Sequence, residues 1–305
     1  MTTEIVGGAA LAPPTAIGGR RSARLRQLAP FLPAMVIIVG LFVVPLALMF
    51  VFSFWSTNEN LDVVPVWTLE NYQNFFTNPT YVRTLFKTMV IGAGVTVVCL
   101  VVAFVVAYFL SRYVSRRLAR IALLVIIVPF WTSYLLRVYS WQAILGEHGA
   151  LNQVLVGLGI LREPSLLFVY NDFGTFIVLA YLYIPFAALV LYASLERFDF
   201  TQLTAAQDLG AGPVAAFRRV LLPQIRPGLI TACIFVFIPI LGEFLTPSME
   251  GGAQGLLIAN LLANFFKTAL IPEGAAVGFL IAAFVTALLI VFRRYLRVED
   301  VVVRG

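Results

Sequence analysis

The sequence predicts an all-α integral membrane protein of six transmembrane helices. Three observations carry that prediction. The 305 residues are 61% hydrophobic and only 12% charged, where an ordinary globular domain is nearer half apolar and a quarter charged. Six runs each hold about 20 mostly apolar residues, the length a bilayer-crossing helix needs. The basic residues gather at the ends of alternate runs, which is how membrane proteins are oriented. The net charge of +6 comes without a basic stripe interleaved with aromatics, so nucleic acid is not the partner implied.

Residues 1–27 are rich in Gly, Ala and Pro, then basic (Arg20, Arg21, Arg24, Arg26). They are expected to form a disordered cytosolic tail. The first span, 29–54, is too long for the apolar region of a cleaved signal peptide and lacks a small-residue cleavage site. The remaining spans are expected near 88–111, 121–145, 173–195, 228–247 and 274–292, within a membrane domain covering 28–297. Residues 298–305 are expected as a second tail. The loops at 55–82 and 146–172 are too small to be enzymatic domains.

With the N-terminus assigned to the cytosol, the inside segments collect four groups of arginines. These are Arg20, Arg21, Arg24 and Arg26; Arg112, Arg116, Arg117 and Arg120; Arg197, Arg218, Arg219 and Arg226; and Arg293, Arg294, Arg297 and Arg304. Only Arg83, Lys87, Arg162 and Lys267 fall outside, and Arg137 falls within a span. This asymmetry predicts both termini in the cytosol. A seventh span at Gln254–Leu270 would throw Arg293, Arg294 and Arg297 outward. Asn260, Asn264 and Lys267 there share one helical face, so that segment is expected as a short amphipathic helix at or dipping into the outer face. Gly274 and Gly278 open the last span at a spacing that permits close helix packing.

Cys99 and Cys233 lie inside apolar runs with no C-x-x-C spacing, and read as small core residues. The single His148 cannot build a metal site alone. No metal ligands are expected.

The segment 198–223 differs from the rest. Between two apolar runs it carries Gln207, Asp208, Arg218 and Arg219, with Gly210, Gly212 and Pro213. Asp199 and Gln202 have the spacing of a capping pair. The first helix is expected to run to Leu209, with Gly210 as a left-handed stop and Pro213 as the first residue of a second helix. That helix would carry Val214, Phe217, Val220 and Leu221 on one face and Arg218 and Arg219 on another, until Pro223 ends it. Two short helices on the cytosolic side with an apolar and basic surface would dock a partner or rest on lipid headgroups.

Ala205-Ala206-x-x-x-Gly210, nine residues, then Val220-x-Leu222-Pro223 resembles the EAA loop of ABC-importer permeases. The glutamate of that motif is Thr204 here and its isoleucine is Val220. Leu69-Glu70-Asn71-Tyr72, the stretch Pro129 to Trp141, and Gly242-Glu243-Phe244-Leu245-Thr246-Pro247 with Gly251-Gly252 and Gly274 resemble the spermidine/putrescine-type subfamily. The resemblance covers all but residues 1–27 and the last few. It implies the six-helix type I importer fold in a bacterial inner membrane, with residues 198–223 as the coupling helix between spans four and five. Thr204, Ala205, Ala206, Asp208, Gly210, Phe217, Arg218, Val220, Leu222 and Pro223 would then meet a cytosolic ABC ATPase dimer. It further implies a second permease subunit, an extracytoplasmic solute-binding protein, and as cargo a polyamine, with another small organic cation, an amino-acid derivative or an opine-like solute as the alternative. No Gly-x4-Gly-Lys-Ser/Thr phosphate loop is present. ATP and magnesium would therefore be used by the partner, and this chain is expected to be neither an enzyme nor a cofactor carrier.

Charges inside spans are costly and point to function by default. Arg137 and Glu243 are such charges, and each lies roughly 22–24 Å up its helix. They would pair with each other and lock two helices, leave Glu243 facing a path for a cationic solute, or snorkel to the membrane interface. Trp131, Tyr134, Tyr139 and Trp141 surround Arg137 in sequence, and aromatic faces can hold ammonium groups. Pro129, Pro185 and Pro239 interrupt three spans, as in helices that line paths. An integral-membrane enzyme would need a catalytic constellation that is missing. A secondary carrier or channel would leave 204–223 unexplained.

Overall fold

The computed structural model describes residues 32–252 and 255–296. The two expected tails, with the arginines at 20–26, 297 and 304, lie outside the described residues. Two units are distinguished, Met1–Val51 and Phe52–Gly305.

The first span begins as α1 (Leu32–Ile38), widens into a π-turn over Val39–Val43 and continues as α2 (Val44–Phe52). The Val44 N–H reaches the Val39 carbonyl, five residues back. Pro45 follows at once. A proline inside a helix lacks a donor and crowds the preceding turn, and the wider turn absorbs both defects.

The second unit opens with a small hairpin, β1 (Ser56–Thr57) antiparallel to β2 (Val63–Val64), followed by α3 (Glu70–Thr77). Asn71 is the latch of this region. Its buried amide donates to the carbonyls of Ser53 (3.0 Å) and Trp55 (2.8 Å).

The core is built by three long helices, α4 (Pro79–Tyr113), α8 (Asp172–Leu195) and α11 (Leu222–Leu241). Between them come α5 (Arg116–Ile127), α6 (Tyr134–Leu145), α7 (Ala150–Gly157), α9 (Thr201–Asp208) and α10 (Pro213–Ala216). After them come α12 (Leu245–Glu250), α13 (Ile258–Lys267) and α14 (Ile271–Leu296). Both sides of α4 are apolar, and the inward one is the one rich in small residues, interleaved with Ile91, Val95 and Leu110. Gly92, Cys99, Ala103 and Ala107 are buried, while Val97, Val101, Val105 and Phe109 face outward. Small residues let helices approach closely where lipid supplies no hydrophobic contrast. A Cβ at Gly228 would meet Ser194 of α8, so that glycine sets the α8–α11 spacing. Side-chain caps start two of the long helices. Asn78 accepts from Thr80 N at α4, and Asn171 accepts from Phe173 N and Gly174 N at α8.

Three expected spans differ in outline. The second begins nine residues earlier than 88, because Asn78 and Pro79 supply a cap and a first-turn proline. The third, expected as one helix over 121–145, is broken. Residues Arg116–Trp131 and Tyr134–Gly157 meet at 92°. Pro129 sits in a 3-10 turn over Val128–Trp131, and Thr132 and Ser133 are extended. The fifth ends at Leu241 rather than 247. Gly242, Glu243 and Phe244 leave the helix, and α12 starts anew. Five helices among the described residues are long and apolar enough to cross a membrane, or six if the bent pair is one span. The segment expected as amphipathic forms α13, whose Asn264 and Lys267 are exposed while Asn260 is buried.

Candidate functional site

Two places gather the residues singled out from the sequence. The first is the 198–223 loop. Asp199 Oδ1 accepts from Thr201 N (3.0 Å) and Thr201 Oγ1 (2.7 Å), rather than from Gln202. These bonds to its charged form hold the Asp199 carboxyl below the usual carboxylate range. Helix α9 buries Leu203 and half-buries Ala206, leaving Thr204, Ala205, Gln207 and Asp208 in the open. Gly210 then takes φ +88°. A Cβ there would meet nothing, so the backbone angle alone requires glycine. Gly210 N bonds to Gln207 O and Ala211 N to Ala206 O, which is a Schellman stop.

Pro213 occupies the first turn of α10, as expected. Beyond it a second π-turn covers Phe217–Leu221, and the Leu222 N–H reaches the Phe217 carbonyl. Pro223 therefore does not end the helix. The π-turn supplies the slack, and the chain runs on into α11 exactly as Pro45 runs on in the first span. Phe217, Val220 and Leu221 pack into the core. Val214, expected on that same face, is instead 69% exposed, and Leu209 across the turn is 90% exposed. Arg218, Arg219 and Pro223 are exposed and Leu222 is half-buried. Gln224 Nε2 donates to Gln202 Oε1 (2.7 Å), fastening α9 to α11.

The second place is the break after α11. Glu243 Oε1 accepts from Leu245 N (3.0 Å) and Thr246 N (3.2 Å), so it caps α12. Its carboxyl lies beside the Tyr134 hydroxyl and near Tyr183. Tyr134 and Thr246 share a hydrogen bond of 2.6 Å between their hydroxyls. Arg137 stacks instead on Phe130, its guanidinium carbon 4.3 Å from the ring centre, with Tyr134 at 5.7 Å. Among the described residues Arg137 and Glu243 form no ion pair. The helix break moves Glu243 off the ladder that the ion-pair alternative assumes. The aromatic grouping also differs from the sequence cluster. Trp141 meets Tyr181 (5.2 Å), and Phe130 meets Tyr181 (6.3 Å) and Phe186 (5.2 Å). Trp131 points away and is 86% exposed, and Tyr139 is exposed too. The α8 aromatics around Pro185 are the members that sequence reasoning missed. Their signal was Tyr181-x-Tyr183-x-Pro185-Phe186 in a span already marked by its proline. Among the described residues no group of metal-ligating side chains is found.

Residues 100–298 match the family of binding-protein-dependent transport system inner membrane components. The chain is 32% identical to the spermidine/putrescine transport system permease protein PotB of Haemophilus influenzae, over 82% of this chain and 87% of that protein. It is 33% identical to PotB of Escherichia coli strain K12, over 79% and 87%. The E. coli inner membrane ABC transporter permease protein YdcU is 29% identical over 66% and 67%. Its fold matches a chain of a bacterial ABC transporter involved in import of the acidic polysaccharide alginate. The TM-score is 0.74 at 14% identity, over 91% of this chain and 98% of that one. The chain belongs to the binding-protein-dependent transport system inner membrane component family. It is the permease of an ABC importer, with the type I fold.

Proposed function

We propose that this permease carries a polyamine, such as spermidine or putrescine, across the bacterial inner membrane. The observation that carries the reading is the identity to PotB proteins along about four-fifths of the chain. The cap at Glu243 supports it. A carboxyl at a helix break, with Tyr134 and Tyr183 beside it, suits an ammonium group by charge and by ring face. Trp141 and the Arg137 stack bound the same region. The direct test is uptake of labelled spermidine by cells that depend on this chain and its neighbouring subunits. Uptake indistinguishable from cells lacking the chain would overturn the cargo.

The loop at 198–223 is the element that would meet a cytosolic ABC ATPase dimer, where ATP and magnesium are used. Exposed Leu209 and Val214 on either side of the Gly210 turn, rimmed by Thr204, Asp208 and Arg218, suit a protein cleft. A neighbouring fold was solved in complex with an alginate-bound periplasmic protein, which supports an extracytoplasmic solute-binding partner here. A second, different permease subunit completes the proposed assembly. The arginine asymmetry supports cytosolic termini. Gly210→Pro, and charge reversal at Arg218 and Arg219, should leave membrane insertion intact. Each should cut the ATPase retained on co-purification by about tenfold or more, equivalent to about 1.4 kcal/mol. Equal retention with the loop broken would remove the coupling role.

A further inference from the structure

The loop is held to α4 by an unbroken series of aromatic contacts. Phe217, which opens the π-turn, packs edge-on to Phe104 (5.7 Å, 78°). Phe104 meets Tyr108 (5.7 Å), and Tyr108 meets Phe200 edge-on (5.7 Å, 79°). Phe200 sits just before α9 and in turn meets Phe198 (5.1 Å, 83°). Each half of the loop is thus pinned by one ring to the same helix.

Arg112 closes the solvent end of this series. Its guanidinium carbon lies 5.7 Å from the Tyr108 ring centre, 5.4 Å from Tyr113 and 5.9 Å from Phe200. Its Nη1 also donates to the Tyr108 hydroxyl. A planar guanidinium can stack and donate at once, and an ammonium cannot. Arg112 makes no ion pair among the described residues; its partners are the rings.

The N-terminal half of α4 bears on the break at Glu243. Thr88 Oγ1 accepts from Ile258 N (2.9 Å). Two residues on, Asn260 donates to the Phe244 carbonyl (2.7 Å). Helix α4 is 35 residues long, about 50 Å at 1.5 Å per residue. It is therefore a rod that touches the loop at Phe104 and Tyr108 and the Glu243 region at Thr88, contacts about 30 Å apart along its axis.

We propose that Arg112 is a positioning residue for energy coupling. By clamping Phe200 against Tyr108 and Tyr113 it fixes the loop to α4, so that loop displacement is passed along α4 rather than lost in a hinge. This rests on the reading of 198–223 as the ATPase-docking loop. The docking surface itself, at Leu209 and Val214, is left untouched by changes at Arg112.

The test uses the assembled complex in liposomes with its binding protein and spermidine. Three quantities are read: ATPase retained, basal ATPase rate, and the ratio of spermidine-stimulated to basal rate. Arg112→Ala and Phe200→Leu should keep retention and basal rate within twofold of wild type. They should lower the stimulation ratio about fivefold, with Arg112→Lys in between. The double variant should be no worse than the worse single, because the two side chains act as one unit. Stimulation ratios within twofold of wild type in both singles would overturn the proposal. So would losses that multiply in the double variant. If Arg112→Ala does not assemble, Arg112→Lys and Phe200→Leu carry the same readout. Failure of the wild-type chain to retain any ATPase would instead defeat the docking reading, and the proposal with it.

Discussion

Glu243 owes its place to two backbone N–H groups rather than to a countercharge. An amide carbonyl oxygen can accept the same two bonds, more weakly than a carboxylate. Glu243→Gln should therefore leave assembly unchanged while removing the ionisable group. Spermidine uptake should fall by about tenfold, the effect of about 1.4 kcal/mol, with the complex still monodisperse on size-exclusion chromatography. Loss of assembly instead would mean that the charge holds the fold. Glu250, beyond the end of the fifth span, differs. It is fully buried, and neither carboxyl oxygen has a hydrogen-bond partner. Burial pushes its carboxyl up to about 7 from the usual 4.5. The folded chain then keeps a proton that the unfolded chain releases. This contribution to stability is full below pH 4.5 and declines as pH rises towards 7, then stays flat. Its size is at most about 3 kcal/mol. Thermal midpoints of the detergent-solubilised protein should fall between pH 5 and 7. In Glu250→Gln that slope should disappear, whatever the variant's absolute stability.

The elements show which features the sequence discloses. Apolar length and arginine placement make the spans legible, and φ +88° at Gly210 is the left-handed stop its neighbours announce. Pro213 likewise starts a helix where a first-turn proline belongs. The break in the third span was not legible, because Pro129 alone fits a kink as well as a full turn of direction. Extended Thr132 and Ser133 made the difference. Glu243 as a cap was hidden for a related reason: it depends on the helix stopping at Leu241, and the apolar run resumes at Phe244 and Leu245 after only Gly242 and Glu243. Helix spacing is a third case. Gly228 reads as an ordinary glycine until Ser194 is found against it. Gly228→Val should destabilise the α8–α11 seam by about 1–3 kcal/mol through overpacking, read as a lower thermal midpoint. Removing the Ser194 hydroxymethyl in the same chain, as Ser194→Gly, should recover part of that loss.

Across the whole second unit, a few buried amides join segments far apart in sequence. Asn71 holds the carbonyls of Ser53 and Trp55, where the chain enters the small hairpin. Asn260 accepts from Leu257 N and donates to Phe244 O and Ser248 Oγ. Asn260→Ala would strand the buried Leu257 N–H, at about 1–3 kcal/mol, while the Phe244 carbonyl keeps its bonds from Ser248 N and Ser248 Oγ. The thermal midpoint should drop by several degrees. Spermidine-stimulated activity should fall with it, since the Phe244 carbonyl adjoins Glu243. An unchanged midpoint would show that water replaces the amide.

The π-turn at Phe217–Leu221 has a consequence for how this chain tolerates change. A π-turn is a helix carrying one surplus residue. The nine-residue interval between Gly210 and Val220 includes that surplus, so the interval measures backbone length as much as side-chain identity. Deleting any one residue from Phe217 to Leu221 would return the segment to regular pitch. Pro223 would then crowd a regular turn, with no wider turn to absorb its missing donor. Single-residue deletions here should be far less tolerated than substitutions such as Val220 for isoleucine. The heritable quantity in this loop is a count.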